Sequence, residues 1–166
     1  MINSEEVKKD MVRIGLYQIV GGSLGILIGL WSVLTSGTVN ITLVVCLLVL
    51  CGFSIFCGYL CYQGKERGLR LSLWNQILQI IHFGFPILGF SFATGCYLAM
   101  GVSNGEAGPV TFDMGFLRMT FSLGSEGDTY DYSLNFVAMG FLIWINRLMK
   151  TVKEEAGHHA ISELGQ

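Results

Sequence analysis

LSLWNQILQIIHFGFPILGFSFATGCYLAMG, residues 71–101, contains no Asp, Glu, Lys or Arg over 31 positions. Read as a helix it is about 46 Å long at ~1.5 Å per residue, which exceeds the ~30 Å hydrocarbon core of a bilayer. It therefore has to tilt, bend or begin outside the hydrocarbon. Its first part sets Ser72, Asn75, Gln76, Gln79 and His82 at three- and four-residue spacing against Leu71, Leu73, Trp74, Ile77, Leu78, Ile80 and Ile81, an amphipathic helical pattern. One reading starts this helix in the headgroup region, with Trp74 in the interfacial aromatic belt and the true span at about 78–101. The other turns Asn75, Gln79 and His82 toward a bundle interior. Pro86 strengthens the second reading, because a proline cannot donate to the carbonyl four residues back and leaves that of His82 without its helical partner. Lipid cannot satisfy such a group. With Gln18 of the first apolar stretch, these residues make a candidate polar seam of Gln18, Asn75, Gln79, His82 and Pro86.

Three further apolar stretches, 14–35, 41–62 and 133–149, accompany this one. Together the four predict an all-α membrane protein: a four-transmembrane-helix bundle occupying residues 1–166 as one domain, with a small β-hairpin in the second outer loop. Nine of the ten Lys and Arg residues (Lys8, Lys9, Arg13, Lys65, Arg67, Arg70, Arg147, Lys150 and Lys153) fall on the even-crossing side, against Arg118 on the other. The positive-inside rule then places both termini in the cytoplasm, and the minimal loops point to a multi-pass protein of a bacterial inner membrane. The first thirteen residues mix acids with bases and lack a cleavage site, so no cleaved signal peptide is expected. A net charge of -2 without a large basic patch argues against nucleic acid as a partner. Anionic lipid headgroups account for the inner basic residues.

The first stretch repeats Gly21, Gly25 and Gly29 at i, i+4, i+8, a stripe without side chains that lets another backbone come close. Its partner is open between a helix of the same bundle, a second copy and a foreign helix. The five cysteines, Cys46, Cys51, Cys57, Cys61 and Cys96, all lie in apolar stretches and read as small buried hydrophobes. A Cys46 to Cys96 disulfide across neighbouring spans is the sharper alternative.

Residues 102–132 form the longer outer loop. Apolar side chains alternate at Phe112, Met114 and Phe116, then shift phase to Leu117, Met119, Phe121 and Leu123, the pattern of a strand with a bulge. A turn at 124–127 and renewed alternation at Tyr130, Tyr132 and Leu134 complete the expected hairpin. An isolated hairpin is marginal in water, so its apolar face should rest on the bundle or receive a partner. Phe112, Phe116, Tyr130 and Tyr132 are the candidate outer docking surface. The loop has no Cys, His or Lys to act as nucleophile or base, and its acidic residues lack calcium-loop spacing. Glu154, Glu155, His158 and His159 in the tail 150–166 read as a solvated cytoplasmic segment.

No catalytic motif stands out. The four stretches hold no Asp, Glu, Lys or Arg except Arg147, so the buried carboxylate of proton-coupled carriers is missing. His82 is the sole histidine of the stretches, too few for a two-histidine haem or a zinc site. The expectation is a non-enzymatic membrane protein without cofactor or metal. Its partners are the lipid bilayer and either a membrane-protein partner or a homo-oligomer, and it acts by association as a subunit or accessory of a membrane complex. The alternative is a small oligomeric carrier or channel that passes a small polar solute along the polar seam.

Overall fold

The structure, a computed structural model, describes residues 4–35, 41–85, 88–104, 109–123 and 130–164, those at 4, 88, 121–123 and 155–164 as backbone. Along the chain run α1 (Ser4–Thr35), α2 (Ile41–Tyr62), α3 (Glu66–Ile80), β1 (Ile81–Gly84), β2 (Leu88–Ser103), β3 (Val110–Leu123), β4 (Asp131–Asn135) and α4 (Phe136–Leu164).

Helices α1 and α2 form an antiparallel hairpin whose contacts descend in register: Gly29 meets Leu47, Gly22 meets Cys51 and Ile55, and Gly15 meets the backbone of Gly58 and Tyr62. A Schellman cap ends α2. Gly64 takes φ +70, its N–H bonds the Cys61 carbonyl at 2.9 Å, and that of Lys65 bonds the Leu60 carbonyl at 3.1 Å, which satisfies the last carbonyls of the helix and turns the chain into α3. The lower half of α1, the end of α2, α3 and α4 close around Val7, Met11, Ile14, Cys61, Leu69, Ile145 and Leu148.

The four-span all-α bundle does not stand. The expected third span, 71–101, is α3, β1 and most of β2, and the expected fourth, 133–149, is the end of β4 followed by α4. Among the described residues only α1 and α2 are long and apolar enough to cross a membrane. The reason is visible past Gln79, where large residues alternate with small ones: Phe83, Phe85, then Phe90, Phe92 and Thr94 interleaved with Gly84, Gly89, Ser91, Ala93 and Gly95. That period of two suits a pleated sheet and leaves no helical face. Hydropathy is blind to it because glycine, alanine and serine barely lower a windowed mean.

The expected hairpin is also re-paired. Strand β3 is long and irregular near Phe116, but it pairs with β2, from Val102↔Val110 to Leu88↔Leu123, and not with the segment carrying Tyr132. β4 pairs with β2 (Met100↔Leu134) and with β1 (His82↔Ser133).

The pairings force β2 to double back. β1 is antiparallel to the first part of β2, β4 is antiparallel to its last part, and β1 and β4 are antiparallel to each other. Three mutually antiparallel relations are impossible for straight strands, so β2 must reverse between Phe90 and Ala99. The register shift between Thr94 and Tyr97 and the φ of +89 at Gly95 mark the bend, a bulge of the kind that kinks a strand. The result is a small sheet curled on itself, in the order β1-β4-β2-β3, with β1 closing back on β2.

Candidate functional site

Two features invite a functional reading: a buried polar seam where the helices meet the bend in β2, and the outward face of the curled sheet.

The seam gathers residues from four elements. Gln79 of α3 grips Thr94 twice, its Oε1 accepting the Thr94 N–H at 3.0 Å and its Nε2 donating to Thr94 Oγ1 at 3.1 Å. Ser54 of α2 lies 3.3 Å from Thr94 Oγ1, receives Asn75 Nδ2 at 3.1 Å and donates to the Gln18 carbonyl at 3.4 Å. Gln18 Oε1 accepts from Ser72 Oγ at 2.9 Å, and Ser72 meets Cys61 Sγ at 3.2 Å. Gln18, Ser54, Ser72, Asn75, Gln79 and Thr94 are all buried. Helical spacing on α3 makes this possible, since Ser72, Asn75 and Gln79 share one face. Tyr17 of α1 completes the clamp by donating to the Cys96 carbonyl at 3.1 Å.

Of the expected seam residues, Gln18, Asn75 and Gln79 come together here. His82 sits on β1, buried beside the seam, where Nε2 donates to the Phe92 carbonyl at 3.3 Å. Burial holds its pKa below the ordinary value, with the Phe92 carbonyl opposing in part. Pro86 lies outside the described residues. Tyr17, Ser54 and Thr94 belong to the seam and escape a sequence reading, because an isolated hydroxyl in an apolar run carries no periodic signal. No imidazole or carboxylate is hydrogen-bonded to a seam hydroxyl among the described residues, so the arrangement offers no nucleophile and base pair. Gln18 Nε2, Gln76 Nε2 and Asn75 Oδ1 are buried without a hydrogen-bond partner.

The glycine stripe divides between two neighbours. A Cβ on Gly21 would meet the backbone of Thr94 and Gly95, one on Gly25 would meet Cys51 Sγ and the Leu117 side chain, and one on Gly29 would meet Leu47. The stripe thus lets α1 approach the β2 bend as well as α2. All five cysteines are free thiols, Cys46 half-buried and Cys96 exposed.

The register sorts the sheet into two unlike faces. Ile81, Met100, Val102, Phe112, Tyr132 and Leu134 share the outward face, where Phe112 is 66% and Met114 is 72% exposed. His82, Ala99, Asp113, Asp131 and Ser133 share the inward face. There Arg118 bonds Asp113 at 2.9 Å and approaches Asp131 at 3.7 Å, while the Tyr97 hydroxyl donates to Asp113 at 3.1 Å. The candidate docking residues Phe112 and Tyr132 lie on the outward face, Phe116 is exposed beside the bend, and Tyr130 and Tyr132 pack edge-on against Phe85. The exposed apolar side chains of the outward face invert the pattern of a water-facing sheet, while Asp113 and Asp131 on the other face stay half-exposed beside Arg118.

The helical hairpin shows the same inversion. Only 33% and 28% of the most apolar stretches of α1 and α2 are buried, and Trp31 and Leu34 are 70% and 78% exposed. Core helices of a water-soluble protein bury such residues.

Compared with known proteins, the chain matches no family model, no curated protein and no solved structure.

Proposed function

We propose that this chain is a non-enzymatic integral membrane protein that acts by association, anchored by the α1–α2 hairpin and offering the outward sheet face to a membrane partner. The observation that supports this most is the exposure of the hairpin. Its apolar residues face out over most of both helices, at a cost of ~25 cal/mol per Å² if they met water. α2 has 22 residues, about 33 Å of helix, a match to a bilayer core of ~30 Å. Lys8, Lys9 and Arg13 lie toward one end of α1, and Lys65, Arg67 and Arg70 follow α2 at the same end of the hairpin. That placement supports a reading of two crossings with both ends cytoplasmic.

The seam argues against passage of a solute. Each seam hydroxyl and carboxamide bonds at least one other seam group, which leaves only Gln18 Nε2 and Asn75 Oδ1 unpartnered among them, and these bonds tie α1, α2 and α3 to β2. We therefore read it as the clamp that fixes the sheet to the anchor.

Single cysteines in a cysteine-free background test the crossings. A membrane-impermeant maleimide applied to intact cells should label Thr38→Cys and spare Gln63→Cys until lysis. Equal labelling of the two, or release of the protein by alkaline carbonate, would sink the two-crossing anchor.

A further inference from the structure

Between the flank of α2 and the β2–β3 ribbon lies a cavity of about 250 Å³. Val45, Cys46 and Val49 of α2 form one wall, and Phe90 and Met119 of the sheet form the other. Behind it stands the cluster of Leu47, Cys51 and Phe92. We propose that this cleft holds one acyl chain of a bilayer phospholipid, wedged between the anchor and the sheet. The inference rests on the two-crossing reading of the hairpin.

The choice of occupant follows from chemistry and depth. No charged side chain lines the cleft, and its two hydroxyls, Ser91 and Thr120, bond each other. Almost none of the cleft's surface is polar, so a polar ligand would lose its hydration for little in return, whereas a hydrocarbon chain needs no partner. Residues 45–50 lie about 6–14 Å along α2 from its first residue. In a crossing helix that is the depth of acyl chains, below the headgroups. Val45 and Val49 are more than half exposed, so the cleft opens sideways to the bilayer. A chain lodged there extends the Leu47–Cys51–Phe92 cluster outward and covers Phe90 and Met119, which are only partly buried. The sheet thus docks on the anchor through protein contacts at the seam and through lipid along α2.

The test is native mass spectrometry of the full-length protein extracted gently from its own membranes. Wild type should carry one phospholipid per chain. Cys46→Phe fills the cleft and should reduce retained lipid at least five-fold; Val49→Phe, which narrows it from the rim, should do likewise and serves if the first variant loses its cooperative thermal transition. Leu48→Phe places the same ring on the lipid-facing side of α2 outside the cleft and should retain lipid as wild type does. Equal retention in all four proteins would mean a nonspecific annulus and overturn the proposal, as would a second copy of the chain in place of lipid. A wild type that carries no lipid yet resists carbonate extraction overturns the cleft and leaves the anchor standing. Release by carbonate removes the anchor reading itself.

Discussion

At the residue scale, the glycines decide how close the elements come. A Cβ on Gly15 would sit 2.6 Å from the Gly58 carbonyl oxygen, and one on Gly58 would sit 2.6 Å from that of Gly15. Both obstacles are backbone and cannot swing aside. Gly15→Ala or Gly58→Ala should therefore destabilise the fold by about 1–3 kcal/mol, the usual penalty of overpacking. Gly140, with nothing within 4 Å of a Cβ, is the control: its alanine variant should hold or raise stability by up to about 1 kcal/mol through helix propensity. Thermal unfolding in detergent measures both. His82 supplies a pH response. Its folded pKa is depressed by burial, so the folded state prefers the neutral ring. At pH well above ~6.5, the unfolded value, neither state takes a proton and the preference costs nothing. As pH falls through ~6.5 the unfolded chain binds a proton that the folded chain refuses, and stability drops down to the lower folded value. His82→Gln should flatten the unfolding midpoint between pH 7 and 5; an unchanged slope would assign it to other groups.

At the element scale, the joints matter more than the elements. Asn135 ends β4 and caps α4, its Oδ1 accepting the N–H of Val137 at 3.1 Å and of Ala138 at 3.4 Å while also reaching the Leu98 N–H at 3.4 Å. Asn135→Ala should cost about 0.5–2 kcal/mol as a lost N-cap, and Asn135→Asp should restore most of it in the same unfolding assay. The hairpin of α1 and α2 was legible in the sequence, because its signal is length and apolarity. The polar face of α3 was legible as a 3.6-residue period, and so was the phase shift at Phe116 and Leu117, which does lie opposite the β2 bend. The sheet was not. From Ile81 to Ser103 an alternation of large apolar with glycine, alanine or serine has the composition of a membrane helix, and only the period separates the two. The partner of β3 was illegible for another reason: register is set across chain distance, and β2 offers as good an apolar alternation as the Tyr130–Leu134 segment does. Within the seam, Asn75 and Gln79 could be read from α3 alone, whereas Ser54 and Thr94 acquire their roles only when the bend brings β2 against α2.

At the scale of the whole molecule, polarity is sorted by region. Lys8, Lys9, Arg13, Arg67, Arg70, Lys150 and Lys153 belong to the end where the four helices converge, while the hairpin tip and the outward sheet face present Leu27, Trp31, Leu34, Ile41, Phe112 and Met114. Lipid covers helices without penalty, because helices satisfy their own backbone groups. A sheet edge is different. β3 ends the strand order, and its outer row of N–H and C=O groups would meet hydrocarbon unpaired, which costs several kcal/mol per group. That demand is what makes association, more than anchoring, the use we assign to this face: a partner strand or a polar partner surface along β3 meets it, and Phe112 and Met114 pack beside the new pairing. The double substitution Phe112→Ser and Met114→Ser removes the apolar contact without touching the seam or the hairpin. In lipid particles excised directly from membranes, wild type should run at a mass above that of one chain, and the double variant should fall to one chain while its thermal midpoint stays within a few degrees. If wild type itself runs as one chain, the outward face serves lipid alone and the association reading is lost.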